Sequence, residues 1–129
     1  MKLRIRDNSV RLRLEQGEVA ALREQQQVAA ATGFADGAVF NYRVESSRTS
    51  RQPEAMFENN SLIVRIPEAS VIAWADSEQV SIQGEQALAG GEDLAILVEK
   101  DFACLAPREG EDESDMYPHP QADDPTVQC

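Results

Sequence analysis

Residues 1–14 read MKLRIRDNSVRLRL, and their alternating pattern decides the fold. Basic and apolar residues alternate on both sides of Asp7 and Asn8, which tolerate the positive φ of a tight turn. A hairpin about this turn pairs Ile5 with Val10 and places the apolar residues on one face and the basic residues on the other. One continuous strand would break the alternation between Ile5 and Val10, so the sequence predicts two antiparallel strands.

A related pattern returns 52 residues later in the chain. Residues 60–74 (NSLIVRIPEASVIAW) align with residues 8–22 (NSVRLRLEQGEVAAL), with five identical positions and every apolar position kept. Such self-similarity indicates an internal repeat. If the repeat is real, Ile5 and Phe57 hold matching positions in the core.

Each half is predicted to have the order strand–strand–helix–strand–strand. The halves span about 1–46 and 53–100, and the same offset makes Val44 correspond to Ile96. Pro67 suits the start of the second helix, because the N–H of a first helical residue has no partner within the helix. The pattern predicts helices at about 16–26 and 67–76, and later strands at about 28–34, 38–46, 79–86 and 93–100. We therefore expect an α+β fold, with mainly antiparallel sheets or a partly closed barrel and two short helices.

The apolar residues, 42% of the chain, are enough for one small core. We expect a single globular domain over residues 1–105 and an acidic, proline-containing tail over residues 106–129. Trp74 follows Val71 by three positions on one face of the second helix, so it is predicted to be buried. Residues 101–129 hold eight acids and one base, which suits a solvated segment or one that docks on a basic surface of the domain.

Charge and composition exclude several classes of partner and compartment. The net charge of −11 disfavours a nucleic-acid partner, because both surfaces would be negative. No apolar run is long enough for a membrane span or a secretory signal, so we expect no membrane partner. Cys104 and Cys129 are the only cysteines, which is typical of a reducing compartment. A cytoplasmic location follows as the expectation.

The basic side of the first hairpin is the unusual feature of this sequence. Like charges that face each other across a strand pair destabilise it, so an anion should compensate them unless the side chains spread into water. An anionic ligand or a nucleic-acid backbone could supply the anion, although the acidic total opposes the latter, and the nearest candidate is the acidic part of the tail. The candidate anion-binding or tail-docking residues are Lys2, Arg4, Arg6, Arg11 and Arg13, and the candidate docking segment consists of Glu109, Glu111, Asp112, Glu113 and Asp115.

Residues with catalytic or metal-binding chemistry are few. Cys104, His119 and Cys129 would bind a metal only together with a carboxylate, and their spacing matches no compact zinc motif. Cys104 also follows an apolar strand, where a free cysteine packs as a small apolar residue. The sequence therefore predicts no cofactor and leaves metal as a minor alternative.

Three motifs carry a resemblance to a known family. The opening KLRIRDNSVRLRL, the middle FENNSLIVRIPEA and the closing EKDFACL and EDESDMYP resemble a small bacterial protein family of unknown function. The resemblance spans nearly the whole chain. It implies that residues 111–120 belong to the family's pattern, which favours an ordered segment there, and it implies no activity.

Three classes of function stay open at this level. The first is a non-enzymatic interaction or assembly module, with a protein partner and an oligomeric state that the sequence does not identify. The second is a small-anion binding domain that uses the basic side of the first hairpin, and the third is a metal-assisted enzyme. A concave pocket lined by arginines would favour the second class.

Overall fold

The computed structural model describes residues 1–103 and 114–118. Within these residues the strands and helices follow the predicted order twice over. The first half contains β1 (Lys2–Arg6), β2 (Ser9–Leu14), α1 (Gln16–Gln25), β3 (Gln27–Gly33) and β4 (Val39–Ser47). The second half contains β5 (Glu54–Glu58), β6 (Ser61–Pro67), α2 (Glu68–Ala75), β7 (Ser81–Ala87) and β8 (Asp93–Lys100).

The strands form two mixed sheets of four strands, and each sheet takes one hairpin from each half. The first sheet has the order β1-β2-β8-β7, and the second has the order β3-β4-β6-β5. The hairpins are antiparallel, whereas the central pairs β2–β8 and β4–β6 are parallel. The sheets are not closed into a barrel. The α+β prediction is confirmed, and the parallel central pairs are the feature that the alternation pattern did not reveal.

The predicted register of the first hairpin is confirmed. Ile5 pairs with Val10 and Arg4 pairs with Arg11. Asp7 takes a φ of 48°, in the left-handed region that the turn requires. This register sends the basic residues of β1 and β2 to the outer side of the first sheet.

The two halves pair their strands in equivalent registers, with one correction to the predicted alignment. Val98 lies beside Leu12 in the first sheet, and Val44 lies beside Val64 in the second. Val44 therefore corresponds to Val98 rather than to Ile96. The shift of two residues arises between the start of α2 and β7, because the connection after α2 is four residues longer than the one after α1 while α2 itself is two residues shorter than α1.

The core lies between the two sheets and is covered by both helices. Trp74 is completely buried, as predicted, and its indole Nε1 donates a hydrogen bond to the Val80 carbonyl at 2.9 Å. The helices also meet through an ion pair between Arg23 and Asp76. The buried apolar cluster consists of Val10, Leu12, Leu14, Val19, Leu22, Val44, Leu62, Val64, Ile66, Val71, Trp74, Ile82, Ile96 and Val98.

Ile5 and Phe57 are not core residues, which corrects a prediction. They occupy matching positions, opposite Val10 and Leu62, but Ile5 is 59% exposed and Phe57 is 64% exposed. Both lie next to a hairpin turn on a strand at the edge of its sheet. At that place the neighbouring strand lies on one side only, so these two apolar side chains remain in contact with solvent.

Neither helix is suited to crossing a membrane. In the part of the chain that the structure describes, α1 has 10 residues and α2 has 8, and no helix is both long and apolar enough to span a bilayer.

Candidate anion-binding site

The first hairpin gathers its bases on the outer side of the first sheet, as the alternation predicts. In the register of the hairpin, Lys2 lies opposite Arg13 and Arg4 lies opposite Arg11. Arg6 follows next to the turn, opposite Ser9. We call this surface the basic face, and its residues are Lys2, Arg4, Arg6, Arg11 and Arg13.

A small cavity lies on the basic face. Its volume is about 170 Å³, and its lining consists of Lys2, Leu3, Arg4, Arg11 and Arg13. Four of these five residues are cations, so the cavity is a place where positive charge converges. A concave, arginine-lined surface can hold an anion by charge and by several N–H donors at once.

Glu99 of β8 neutralises part of the basic face, and sequence analysis did not identify it. Its Oε1 atom lies 2.6 Å from Arg13 Nε and 2.7 Å from Arg11 Nε. β8 brings Glu99 there because it pairs in parallel with β2, with Glu99 directly beside Arg13. The signal available in the sequence was the Arg-x-Arg pattern of β2. Two arginines on one face of a strand repel each other, so a carboxylate on the neighbouring strand would stabilise them.

Lys2 has a second acidic neighbour just after β8. Asp101 is 97% buried, and its Oδ2 atom lies 3.2 Å from Lys2 Nζ. This contact is a charge pair without hydrogen-bond alignment, since no described group donates to that oxygen. The Lys2 side chain therefore extends toward Asp101, the residue that follows β8.

Arg4 and Arg6 have no carboxylate partner among residues 1–103 and 114–118. Arg4 also faces Arg11 directly across the hairpin, an arrangement that costs some tenths of a kcal/mol or more when no anion is present. Within the described part of the chain, the middle of the basic face therefore has one arginine, Arg4, without an acidic partner.

The corresponding surface of the second sheet has a different charge pattern. Glu45 accepts hydrogen bonds from Arg43 at 2.6 Å and from Arg65 at 3.2 Å, which resembles the arrangement around Glu99. Burial opposes the charge of Glu45, but the two arginines outweigh it and lower the pKa of this carboxyl. We call this surface the matching face. Where β1 has Lys2, Arg4 and Arg6, β5 has Glu54, Met56 and Glu58.

Asp115 does not lie on the basic face, where the tail-docking prediction placed it. Its carbonyl accepts a hydrogen bond from the Gln16 amide at 3.0 Å, and its Oδ2 accepts one from the Gly17 amide at 3.0 Å. Asp115 thus satisfies two free N–H groups at the start of α1, where a negative charge is favourable. The other residues of the predicted docking segment, Glu109, Glu111, Asp112 and Glu113, lie outside the described residues.

The residues after Asp115 are anchored to the domain. Met116 is buried, and the Tyr117 amide donates to the Asp101 carbonyl at 2.8 Å. Lys100 Nζ lies 5.4 Å from the centre of the Tyr117 ring and 5.9 Å from that of Trp74. Burial lowers the pKa of Lys100. Segment 114–118 therefore joins the start of α1 to the end of β8.

The predicted metal residues Cys104, His119 and Cys129 lie outside the described residues. Within residues 1–103 and 114–118 no group of histidine, cysteine, aspartate and glutamate side chains is placed to hold a metal ion.

The fold defines the chain as an α+β protein with two mixed four-stranded sheets. A protein-family model matches residues 1–121 and is described as a family of unknown function, DUF7009. The chain belongs to this family, which confirms the predicted membership of a small family without assigned function. No curated protein and no solved structure matches the chain.

Proposed function

We propose that the protein is a binding module that holds an anionic group on its basic face. The observation that carries this proposal is the cavity lined by Lys2, Arg4, Arg11 and Arg13. The chain has a net charge of −11, so a concentration of cations on one surface is unusual for it. The fold does not require these cations. The matching face supports this argument, because it has the same backbone arrangement without the excess of bases.

The state of the arginines indicates which groups would bind the anion. Arg11 and Arg13 already donate to Glu99, whereas Arg4 has no carboxylate partner in the described part of the chain. An incoming phosphate or carboxylate would therefore bind first to Arg4 and share Arg11 with Glu99. Arginine suits this role because its planar group donates two parallel hydrogen bonds to such anions.

Titration calorimetry with pyrophosphate at low salt tests the proposal. The substitution Arg4→Gln should weaken binding by about ten- to a hundredfold, because a hydrogen bond to a charged group contributes about 1.5–3 kcal/mol. The control is Arg51→Gln, which removes one charge from an exposed residue outside the site. Equal losses of affinity in the two variants would mean that only the net charge of the protein matters. The absence of pyrophosphate binding by the wild-type protein would overturn the proposal.

We also infer a cytoplasmic location and a bacterial source. The presence of only two cysteines supports the location, and the family resemblance supports the source. The equivalent registers of the two halves support an internal duplication. Fractionation of cells that express the untagged protein tests the location.

A further inference from the structure

We infer that β1 binds a partner protein by accepting an added strand in which acidic and apolar residues alternate. This inference rests on the proposed function, since the acidic residues of the partner would bind the basic face. The inference goes further than the proposed function, because it states which class of partner binds and how that partner docks. The partner is an extended segment that pairs with the β1 edge of the first sheet, to which no strand of residues 1–103 or 114–118 is paired.

The two faces of β1 define what the added strand must contain. Lys2, Arg4 and Arg6 point to the outer side, and Leu3 and Ile5 point to the inner side. Side chains on one face of a strand recur at about 6.8 Å, since each residue advances the strand by about 3.4 Å. Carboxylates at every second position of a neighbouring strand would therefore lie opposite the three bases in turn.

Exposed Ile5 explains why the remaining positions should be apolar. It is 59% exposed on the side of the sheet that faces the core, beside an edge with which no strand of the described residues pairs. An apolar residue on the added strand would cover it, because directly opposed side chains in a sheet lie in contact. The same segment would thus satisfy the bases on one side and Ile5 on the other.

The edge of β5 shows what a covered edge looks like in this fold. The Ala55 amide donates to Gln86 Oε1 of β7 at 2.8 Å. Pro53 also packs closely on β7, since a methyl group added at Gly84 would lie 2.8 Å from its ring. Leu3 is the residue of β1 that corresponds to Ala55. Among the described residues, no side chain forms a hydrogen bond with the backbone of Leu3.

Charge favours a partner protein over a second copy of the chain. Two β1 strands side by side would bring like charges together, which edge strands use to prevent self-association. Glu54 and Glu58 of β5 have the right sign, but the Ala55 amide between them is already bound to Gln86. A separate acidic segment is therefore the occupant that fits, and a second copy becomes an outcome of the test.

The test compares two capped five-residue peptides of identical composition. In one, three glutamates alternate with two valines; in the other, the three glutamates come first. Calorimetry at low salt should show about tenfold tighter binding of the alternating peptide, which corresponds to about 1.4 kcal/mol from several cross-strand pairs. Hydrogen exchange should show new protection of backbone amides in β1.

Ile5→Thr provides the matched variant, with Phe57→Thr as its control. Both residues are exposed and apolar at corresponding places, so each change removes one apolar side chain from the surface. Ile5→Thr should weaken binding of the alternating peptide about threefold and leave pyrophosphate binding unchanged. Phe57→Thr should leave both affinities unchanged.

The outcomes separate the inference from the proposed function. Equal affinity for the two peptides, with pyrophosphate binding intact, would overturn the strand-addition inference and leave the anion site standing. Loss of binding for pyrophosphate and peptides alike would overturn both. Concentration-dependent dimerisation of the protein alone, abolished by Glu54→Gln with Glu58→Gln, would overturn the inference in favour of a second copy.

Discussion

The basic face and the matching face share one architecture and differ in charge. Each is the outer side of a hairpin whose second strand pairs in parallel with a strand that contributes a glutamate. On the first, β1 presents three bases, and on the second, β5 presents Glu54 and Glu58 at the corresponding places. Because the same fold accepts both patterns, the bases of β1 are not needed to form the sheet. Their concentration is the feature on which the proposed anion binding rests.

The two helices differ in a similar way, in what holds their first turns. The free amides of Gln16 and Gly17 in α1 are satisfied by Asp115, nearly a hundred residues later in the chain. α2 follows Pro67 and has no side-chain cap among the described residues. Both helices pack on the core through two buried residues, Val71 and Trp74 in α2 and Val19 and Leu22 in α1. The first turn of α1 is therefore closed by its own capping box between Glu15 and Glu18 and is also tied to segment 114–118 through Asp115.

The largest expected effect on stability comes from truncation of the matching buried side chains, Trp74 in α2 and Leu22 in α1. Trp74→Ala should lower the free energy of unfolding by about 3–5 kcal/mol, because it empties a large buried volume and removes the bond to Val80. Leu22→Ala, the corresponding change in α1, should lower it by about 2–5 kcal/mol. Urea denaturation measures both. A loss below about 1 kcal/mol for Trp74→Ala would contradict its place in the core.

Removal of the Asp115 side chain should have a smaller and more local effect. Asp115→Ala should cost about 1 kcal/mol, the usual value for a lost helix cap. Hydrogen exchange of the Gly17 amide should accelerate, whereas the corresponding amide in α2, that of Ala69, should keep its rate. Equal changes at both amides would mean that Asp115 acts on the whole domain and not on α1.

Local features of this fold follow from the sequence, and long-range ones do not. The register of the first hairpin follows from alternation, because residues on either side of a short turn have only one apolar arrangement. The pairing of β2 with β8 joins residues far apart in the chain, and no local pattern specifies it. Burial of Trp74 follows from helical spacing, whereas exposure of Ile5 follows from the position of β1 at an edge.

Only the local part of the candidate site could be predicted from the sequence. The bases of the first hairpin belong to one local pattern, so their common face could be predicted. Glu99 joins them only through the parallel pairing, and it therefore escaped sequence analysis. Asp115 was predicted to bind a basic surface because its charge suits one. It binds backbone amides instead, which carry no signature in the residue types of α1.

The ion pairs of the matching face predict a modest dependence of stability on pH. The folded-state pKa of Glu45 lies below its ordinary value of 4.5. Its contribution is therefore present above pH 4.5 and is lost as the pH falls through the lowered pKa. Glu45→Gln should cost less than about 1 kcal/mol at pH 7, because both arginines are partly exposed. The difference from wild type in urea denaturation should shrink at pH 3; a constant difference would contradict this account.

The most direct test of the central claim compares Glu99→Gln with Glu45→Gln in pyrophosphate binding. Both substitutions remove one negative charge from a glutamate held by two arginines. If the basic face is the binding surface, Glu99→Gln should raise the affinity about threefold by releasing Arg11 and Arg13, an effect of about 0.7 kcal/mol. Glu45→Gln should leave the affinity unchanged. Equal increases in both variants, or no increase for Glu99→Gln, would contradict the account.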